Sequence, residues 1–181
     1  MRKVIASEYV TLDGVMEEPG TWSFPFWNEE ASQFKFEELK ACDALLLGRV
    51  TYQGFAKAWP TMKDTGEYGE RMNSLPKYVV STTLSEVTWN ASLIKDHIVE
   101  EVSRLKQESG QDLLVFGSGE LVHLLHQHDL IDEYRLMVHP VILGSGKRLF
   151  RDGNEKKVLK LVETKTFSSG VVVLSYQPVK P

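Results

Sequence analysis

The sequence predicts one α/β domain over residues 1–181, with a mostly parallel central sheet that ends in antiparallel C-terminal strands. Two patterns indicate this class. Short apolar runs alternate with helical stretches up to residue 130, and strand-like segments then follow one another with no helix between them. A hydrophobic content of 42% suits a single core, because a chain of this length buries about 70% of its unfolded surface.

Four continuous apolar runs are the candidate strands of the parallel part. A run without polar alternation is typical of a strand that is covered on both faces. The runs occupy residues 4–6, 44–47, 78–80 and 113–116. Because right-handed crossovers join parallel strands, we expect helices to cover this sheet and form a layered fold.

Two helices have clear apolar faces. In residues 95–109, Ile94 and the apolar residues four, eight and eleven positions later fall on one side, and Gly110 supplies a stop. A second helix follows the glycines at 117 and 119, with Leu121, Leu124 and Leu125 on one side. Both helices are expected to pack on the parallel sheet.

The C-terminal part has a different pattern. Residues 130–142, 158–167 and 171–176 are strand-like, and Ser168-Ser169-Gly170 is a plausible hairpin turn between the last two. Antiparallel strands are therefore predicted here. Their apolar edge suits a symmetric homodimer, the commonest assembly.

Two stretches, residues 11–28 and 59–69, are expected to be irregular. Loops of this length in a compact domain are typically lids or binding loops. The first contains Trp22, Phe24, Phe26 and Trp27 in a proline-containing segment. Two interpretations stay open for these aromatic residues: they face a ligand, or they pack over the edge of the sheet.

Composition excludes several classes of protein. The formal net charge is −4, so no basic surface for a nucleic acid is expected. Cys42 is the only cysteine, and no HExxH motif is present, which indicates neither a disulfide framework nor a metal site. The N-terminal apolar run is too short for a signal peptide, and no segment has transmembrane length, so we expect a cytoplasmic protein that does not bind membranes.

Two glycine motifs match known phosphate loops only in part. The segment from Gly117 has Val122 where a dinucleotide fingerprint ends in glycine, and the expected ribose-binding acid is missing. Residues 144–148 resemble a Walker A loop, but Val141 stands in place of its first glycine and no Ser or Thr follows Lys147. Neither motif alone identifies a nucleotide.

The physical basis of phosphate binding is nevertheless present twice. A buried strand, small residues and a helix start occur in succession at residues 113–125, and again at Gly48, where Arg49 and Thr51 can contact a phosphate. Ligands of open parallel sheets bind beyond the carboxyl ends of the strands, so both helix starts are expected at one edge. Each junction could also be a structural turn. Together they favour one ligand with separated phosphates, such as a dinucleotide with an extra ribose phosphate.

Several segments resemble enzymes of known families. LLLGRVTYQGF is similar to the Gly-Arg-x-Thr segment of dihydrofolate reductases, and LLVFGSGELVHLL to their cofactor turn. LIDEYRLMVHPVILGSGKRLF resembles the reductase domain of the bifunctional riboflavin-biosynthesis deaminase-reductases, which share that fold. The resemblance covers nearly the whole chain. It implies a three-layer dihydrofolate reductase-like fold and a stand-alone reductase without the deaminase half.

The resemblance also implies NADPH as cofactor and a small heterocyclic substrate, as in 5-amino-6-(5-phosphoribosylamino)uracil reductase. The cofactor residues that it implies are Gly48, Arg49, Thr51, Ser81, Thr82, Gly117, Ser118, Gly119, Glu120 and Leu121. Gly14, Trp22 and Trp27 are implied on the substrate side. For the proton that reduction requires, we nominate Asp13 or Glu30 as the catalytic acid.

Other functions stay open. A dihydrofolate or pteridine reductase is one alternative, although Met137 stands where a substrate-side Thr is expected. A non-catalytic nucleotide-binding protein of the same fold is another, and a flavin-dependent reductase is a third. His139 precedes Pro140 at a predicted strand end, and a structural role is favoured for it.

Overall fold

An eight-stranded sheet runs through the centre of the chain, which a computed structural model describes from Met1 to Pro181. Each predicted apolar run forms part of a strand. In chain order the strands are β1 Val4–Thr11, β2 Cys42–Gly48, β3 Lys77–Val80, β4 Ala91–Ile94, β5 Asp112–Phe116, β6 Glu133–His139, β7 Leu159–Thr166 and β8 Val172–Pro178.

The sheet is parallel over six strands and antiparallel over two. Its order is β4-β3-β2-β5-β1-β6-β8-β7, and every pair from β4 to β6 is parallel. β8 pairs with β6 and with β7 in the antiparallel sense. The predicted sheet, with its antiparallel C-terminal strands, is confirmed.

Five helices surround the sheet: α1 Glu29–Lys40, α2 Arg49–Ala58, α3 Gly66–Ser74, α4 Ile98–Gln107 and α5 Gly119–Gln127. The start of α1 is the best capped, because the Asn28 side chain accepts a hydrogen bond of 3.0 Å from the N–H of Ala31. Glu29 and Glu30 in its first turn also suit the positive end of the helix dipole. None of these helices combines the length and the apolar character needed to cross a bilayer.

Both faces of the sheet are covered, which explains the continuous apolar runs. In β5, Leu113 and Val115 pack in one core with side chains of α4 and α5. Leu114 and Phe116, on the other face, pack with side chains of α1, α2 and α3. The predicted three-layer arrangement is therefore confirmed.

Three boundaries differ from those expected. Ile94 is not on a helix but ends β4, where it pairs with Val80, and α4 starts only after His97 at φ 48°. Residues 59–69 are not wholly irregular, because α3 begins at Gly66. The strand predicted at 130–142 is confined to β6, since Pro140 has no N–H to continue the ladder.

The early start of α3 shows tertiary packing overriding local preference. Gly66 and Gly69 disfavour a helix. Met72 is nevertheless fully buried in the core, and the ring of Tyr68 lies 5.5 Å from that of Trp59. Contacts distant in sequence thus stabilise a helix that the local sequence does not predict.

Candidate active site

A cleft of about 1590 Å³ opens along the carboxyl-end edge of the parallel strands. Its wall includes Gly48, Val80 and Phe116, which lie at the ends of β2, β3 and β5. Pockets for single small ligands usually measure about 300–1,000 Å³. The cleft therefore has room for a dinucleotide and a second small molecule.

The first turns of α2 and α5 meet at this edge. The Gly48 N–H donates to the Ser118 hydroxyl at 2.9 Å, and the Ser118 N–H donates to Oγ1 of Thr51 at 3.0 Å. The Ser118 hydroxyl in turn donates to the Phe116 carbonyl at 2.9 Å. Two positively polarised helix starts are thus held side by side, as the sequence predicted.

The backbone of the second turn requires glycine. Gly117 has φ +54°, and a Cβ placed on it would lie 3.0 Å from Oγ1 of Thr51. A Cβ on Gly119 would lie 2.9 Å from the sulfur of Met16. Ser118 also adopts a left-handed conformation, with φ 60°. The step from left-handed Ser118 to Gly119, which begins the right-handed helix α5, is the kind of turn that directs successive N–H groups toward an anion.

Positive side chains surround these helix starts. Arg49 is exposed, and its guanidinium donates one hydrogen bond, to Gln53 at 3.2 Å. Arg151 pairs with Glu120 at 2.6 Å, and this hydrogen bond lowers the pKa of the Glu120 carboxyl. The Lys147 side chain also lines the cleft. This end of the cleft is therefore suited to an anionic ligand.

All ten residues expected at a cofactor line this one cleft. Their side chains have different parts in it. The Ser81 hydroxyl is buried and accepts hydrogen bonds from the N–H groups of Thr83 and Leu84 at 3.2 and 3.1 Å, whereas Thr82 is exposed. The Ser118 hydroxyl and the Ser118 N–H both take part in joining the two turns, so Ser118 contributes to the shape of the cleft through these bonds.

The expected substrate-side residues are divided. Trp27 lines the cleft together with Phe24, and both are exposed. Trp22 does not line it: the side chain is buried, its indole N–H donates to the Glu17 carbonyl, and its ring packs edge-on against His139 at 5.1 Å. The two interpretations of the aromatic loop therefore apply to different residues: Trp22 packs over the sheet edge, and Trp27 faces the cleft.

Asp13 and Gly14, which the sequence suggested for catalysis and for the substrate side, do not line the cleft. The Asp13 carboxylate accepts hydrogen bonds from the Thr11 hydroxyl at 2.6 Å and from the Gly144 N–H at 2.8 Å. These bonds, that of Thr11 first, lower its pKa to about 2, so it is ionised and poorly suited to donate a proton. Gly14, at φ +83°, forms the tight turn beside it. Their role is to fasten one loop to another.

Glu30 also lies outside the cleft wall. One carboxylate oxygen accepts hydrogen bonds from the Ser168 hydroxyl at 2.6 Å and from the Ser168 N–H at 2.9 Å. The hydroxyl contact is the first cause that lowers the pKa of Glu30. This carboxylate joins α1 to the turn before β8.

The structure places a different carboxyl group, that of Glu8, in the cleft wall. Glu8 lies on β1 and is 1% exposed, and its Oε1 has no hydrogen-bond partner. Burial raises its pKa well above the ordinary value, the nearby Lys35 charge lowers it, and Glu38 raises it. One signal was present in the sequence: Ser7 and Glu8 interrupt an otherwise apolar strand that the sheet covers on both faces.

Lys35 and Glu38 form a buried ion pair beside Glu8. The Lys35 ammonium lies 2.6 Å from Oε2 of Glu38 and 2.8 Å from the Ser7 hydroxyl. It also lies 4.1 Å from the centre of the Phe116 ring. Arg135 approaches the other oxygen of Glu38 at 3.4 Å. The Lys35 ammonium is thus paired with Glu38, and Glu8 forms no ion pair.

The fold and the cleft define a dihydrofolate reductase-type α/β protein, and comparison with known proteins identifies its family. The family model described as the RibD C-terminal domain matches residues 2–173. The chain therefore belongs to the RibD C-terminal domain family. No group of three or more His, Cys, Asp or Glu residues is placed to hold a metal ion.

Two proteins of Bacillus subtilis (strain 168) are similar in sequence. The uncharacterized protein YyaP is 36% identical over 179 residues, which are 97% of this chain and 94% of that protein. The uncharacterized protein YwjB is 29% identical over 173 residues, which are 94% of this chain and 95% of that protein. Both matches span nearly the whole of each chain.

Solved structures show the same fold at low sequence identity. A Shewanella sp. PV-4 protein provisionally assigned to riboflavin biosynthesis has a TM-score of 0.80 at 21% identity, over 98% of this chain and 99% of that one. A diaminohydroxyphosphoribosylaminopyrimidine deaminase/5-amino-6-(5-phosphoribosylamino)uracil reductase of Thermotoga maritima has a TM-score of 0.68 at 16% identity. The match covers 98% of this chain and 57% of the Thermotoga chain.

Proposed function

We propose that this protein is an NADPH-dependent reductase of a small heterocyclic acceptor, and that its reaction resembles that of 5-amino-6-(5-phosphoribosylamino)uracil reductase. The observation that carries the proposal is the pair of helix starts joined through Gly48, Thr51 and Ser118 at one end of a large cleft. Membership of the RibD C-terminal domain family supports it. So does the likeness to the Thermotoga protein whose name includes that reductase.

The cofactor end fits NADPH on structural grounds. The backbone N–H groups that begin α5 at Gly119 can hold the pyrophosphate, because the first turn of a helix leaves them without partners in the helix. Arg49, with a single partner, and the exposed Thr82 can contact the 2′-phosphate. When bound, NADPH supplies a hydride, and the chain has to orient the acceptor, exclude water and provide a proton.

The coenzyme assignment is tested by replacing Arg49. We expect Arg49→Ala to raise the dissociation constant of NADPH about 10- to 100-fold, since a charge-assisted hydrogen bond contributes roughly 1.5–3 kcal/mol. NADH lacks the 2′-phosphate, so its affinity should change less than about threefold. Titration of the nicotinamide fluorescence measures both constants.

Arg104→Ala is the matched control, because Arg104 is exposed on α4 and pairs there with Glu101 and Glu108. Equal losses for NADPH and NADH in Arg49→Ala would argue against a 2′-phosphate contact. NADPH binding without oxidation by any pteridine or ribosylaminopyrimidine would indicate a nucleotide-binding protein instead. A yellow purified protein would favour a flavin-dependent reductase.

We also propose a cytoplasmic homodimer. β7 is an edge strand of the sheet, and Leu161 and Val162 on it are about half exposed. An uncovered apolar edge strand is a natural site for self-association. Sedimentation equilibrium should give twice the monomer mass, and a charge at Leu161 should reduce it to the monomer mass.

A further inference from the structure

Glu8 has a buried carboxyl oxygen without a hydrogen-bond partner, which is unusual in a folded protein. The side chain is 1% exposed, and Oε1 is buried without a partner although the residue lines the cleft. Buried polar atoms in folded proteins nearly always have a hydrogen-bond partner. A carboxyl oxygen that lacks one at the wall of a cleft therefore points to a partner supplied by a ligand.

The groups around Glu8 favour its neutral form. Lys35 and Glu38 face it from α1, and the Lys35 charge is already paired with Glu38 at 2.6 Å. Arg135 of β6 contacts Glu38 rather than Glu8. Burial is the largest effect on the pKa of Glu8 and raises it, against the smaller lowering effects of Lys35 and of the Gly117 N–H. Burial thus favours the neutral carboxylic acid form of Glu8 in the cleft wall.

The position of Glu8 also relates it to the coenzyme end. The backbone N–H of Gly117 faces the Glu8 carboxyl, and Gly117 belongs to the turn that starts α5. Glu8 therefore lies where that turn adjoins the rest of the cleft. An acid at this point can reach an acceptor stacked on the nicotinamide end of a dinucleotide held by the turn.

We propose that Glu8 is the catalytic acid of the reductase, which gives its proton to the nitrogen of a C=N bond in an uncharged, planar acceptor. The proposal rests on the proposed function. The acceptor carbon takes the hydride with both electrons, the π bond breaks, and the nitrogen takes the Glu8 proton, so one C–H and one N–H bond form. The Glu8 carboxylate that remains is neutralised again by a proton from water.

The charge of the remaining cleft wall indicates the class of acceptor. The part formed by residues 18–36 and 54–72 has aromatic side chains, including Phe24, Trp27 and Tyr68, and three acids. Lys35 is its only cation, and Glu38 already pairs with it. An uncharged heterocycle fits these surroundings better than a phosphorylated one.

Infrared difference spectra test the protonation state without any coenzyme. Spectra of wild type minus Glu8→Gln at pH 7 should show the carbonyl band of one neutral carboxylic acid. Glu100→Gln, on the exposed surface of α4, is the control and should show none. Absence of the band from the Glu8 difference spectrum would overturn the proposal, whether or not the protein proves to be a reductase.

Turnover tests the catalytic role. With NADPH and pterin as the uncharged probe, Glu8→Gln should reduce kcat at least about 100-fold, the usual size of an acid–base contribution. The NADPH dissociation constant should change less than about twofold, because Glu8 does not bind the phosphates. A kcat within about threefold of wild type would overturn the role of Glu8. Failure of the wild-type protein to bind NADPH would instead overturn the proposed function.

The acceptor class is tested with a pair of compounds. A pyrimidine nucleoside and its 5′-phosphate differ only in the phosphate group, so competition of each with pterin binding measures what that group contributes. We expect the nucleoside to compete at least about tenfold better, and in Glu8→Gln both should weaken alike. Preference for the phosphate would overturn the uncharged class.

Discussion

The two ends of the cleft are formed by different kinds of groups, backbone at one end and side chains at the other. At the proposed coenzyme end the backbone forms most of the surface, because two helix starts are joined there through Gly48, Thr51 and Ser118. At the proposed acceptor end the groups are side chains brought from distant parts of the chain. Glu8 comes from β1, Lys35 from α1 and Trp27 from the preceding loop.

This difference determines how each end tolerates change. A backbone site depends on glycine conformation and on close packing between turns, and any added atom disturbs it. A site of side chains depends on burial and charge, so conservative replacements keep its shape while changing its chemistry. Substitutions at the two ends should therefore affect different measured quantities, binding at one and turnover at the other.

The largest effect on binding is expected from Gly117→Ala. A Cβ at this position lies 3.0 Å from Oγ1 of Thr51, the atom that accepts the Ser118 N–H. Its addition to a residue at φ +54° both strains the backbone and displaces that hydrogen bond. We expect NADPH affinity to fall at least about tenfold, from a lost contribution of roughly 1–3 kcal/mol.

Gly153→Ala is the matched control for this experiment. Gly153 also has a positive φ, +85°, but a Cβ there meets nothing within 4 Å. Both variants should lose thermal stability from backbone strain, and Gly117→Ala should lose more because of its contact with Thr51. Only Gly117→Ala should lose NADPH affinity. An equal loss of affinity in both would mean that the close contact between the two turns does not shape the coenzyme end.

The sequence predicted the pair of helix starts because its determinants are local. A buried strand, a small residue and a helix start follow one another within a few positions at Gly48 and again at Ser118. The rule that ligands bind beyond the carboxyl ends of parallel strands then places both helix starts at one edge. The hydroxyl of Ser118 was the unforeseen part, since it joins the two turns instead of facing the cleft.

The acceptor end could not be predicted in the same way. Local sequence does not show that Trp22 turns inward against His139 while Trp27 faces the cleft. It also does not show that the Asp13 carboxylate accepts hydrogen bonds from N–H groups of a loop about 130 residues away. The sequence does not identify Glu8 as a candidate, because a polar residue in a strand usually faces solvent. Its importance is visible only once both faces of the sheet are known to be covered.

The next largest effect is expected at His139, which packs against aromatic residues of the loop that carries Trp27. His139 is 3% exposed, packs against Trp22 and Phe26, and has its pKa lowered by burial, which outweighs the hydrogen bond to the Met137 carbonyl. A histidine with a lowered folded-state pKa takes up protons more readily when the chain unfolds. Its contribution to stability is present above its unfolded pKa of about 6.5 and is lost as the pH falls below it.

We therefore expect protonation of His139 to lower the melting temperature by a few degrees between pH 7 and pH 5, and His139→Gln to lack this decline. The raised pKa of Glu8 acts in the opposite direction in both proteins. His126, whose pKa is also lowered by burial, accounts for part of the remaining decline. Thermal scans of both proteins across this pH range make the comparison. The same decline in the variant as in the wild type would show that protonation of His139 does not destabilise the fold.

The smallest effect is expected at the two carboxylates that lie outside the cleft. Asp13→Asn and Glu30→Gln should leave kcat within about twofold of wild type, because each group already holds a neighbouring loop and does not reach a ligand. Asp13→Asn should instead lower the melting temperature at neutral pH. Since the pKa of Asp13 is lowered to about 2, its stabilising effect is present above the ordinary aspartate pKa and is lost as the pH falls toward that value.

The difference in melting temperature between Asp13→Asn and wild type should consequently be smaller in acid, and thermal scans at pH 7 and pH 3 measure it. Glu8→Gln provides the contrast, because its raised pKa destabilises the wild-type protein as the pH rises from the ordinary glutamate value to the raised one. The two variants should therefore show opposite pH trends relative to wild type. A large loss of kcat in Asp13→Asn with an unchanged melting temperature would return the catalytic acid to the loop beside β1 and remove the distinction between the two ends of the cleft.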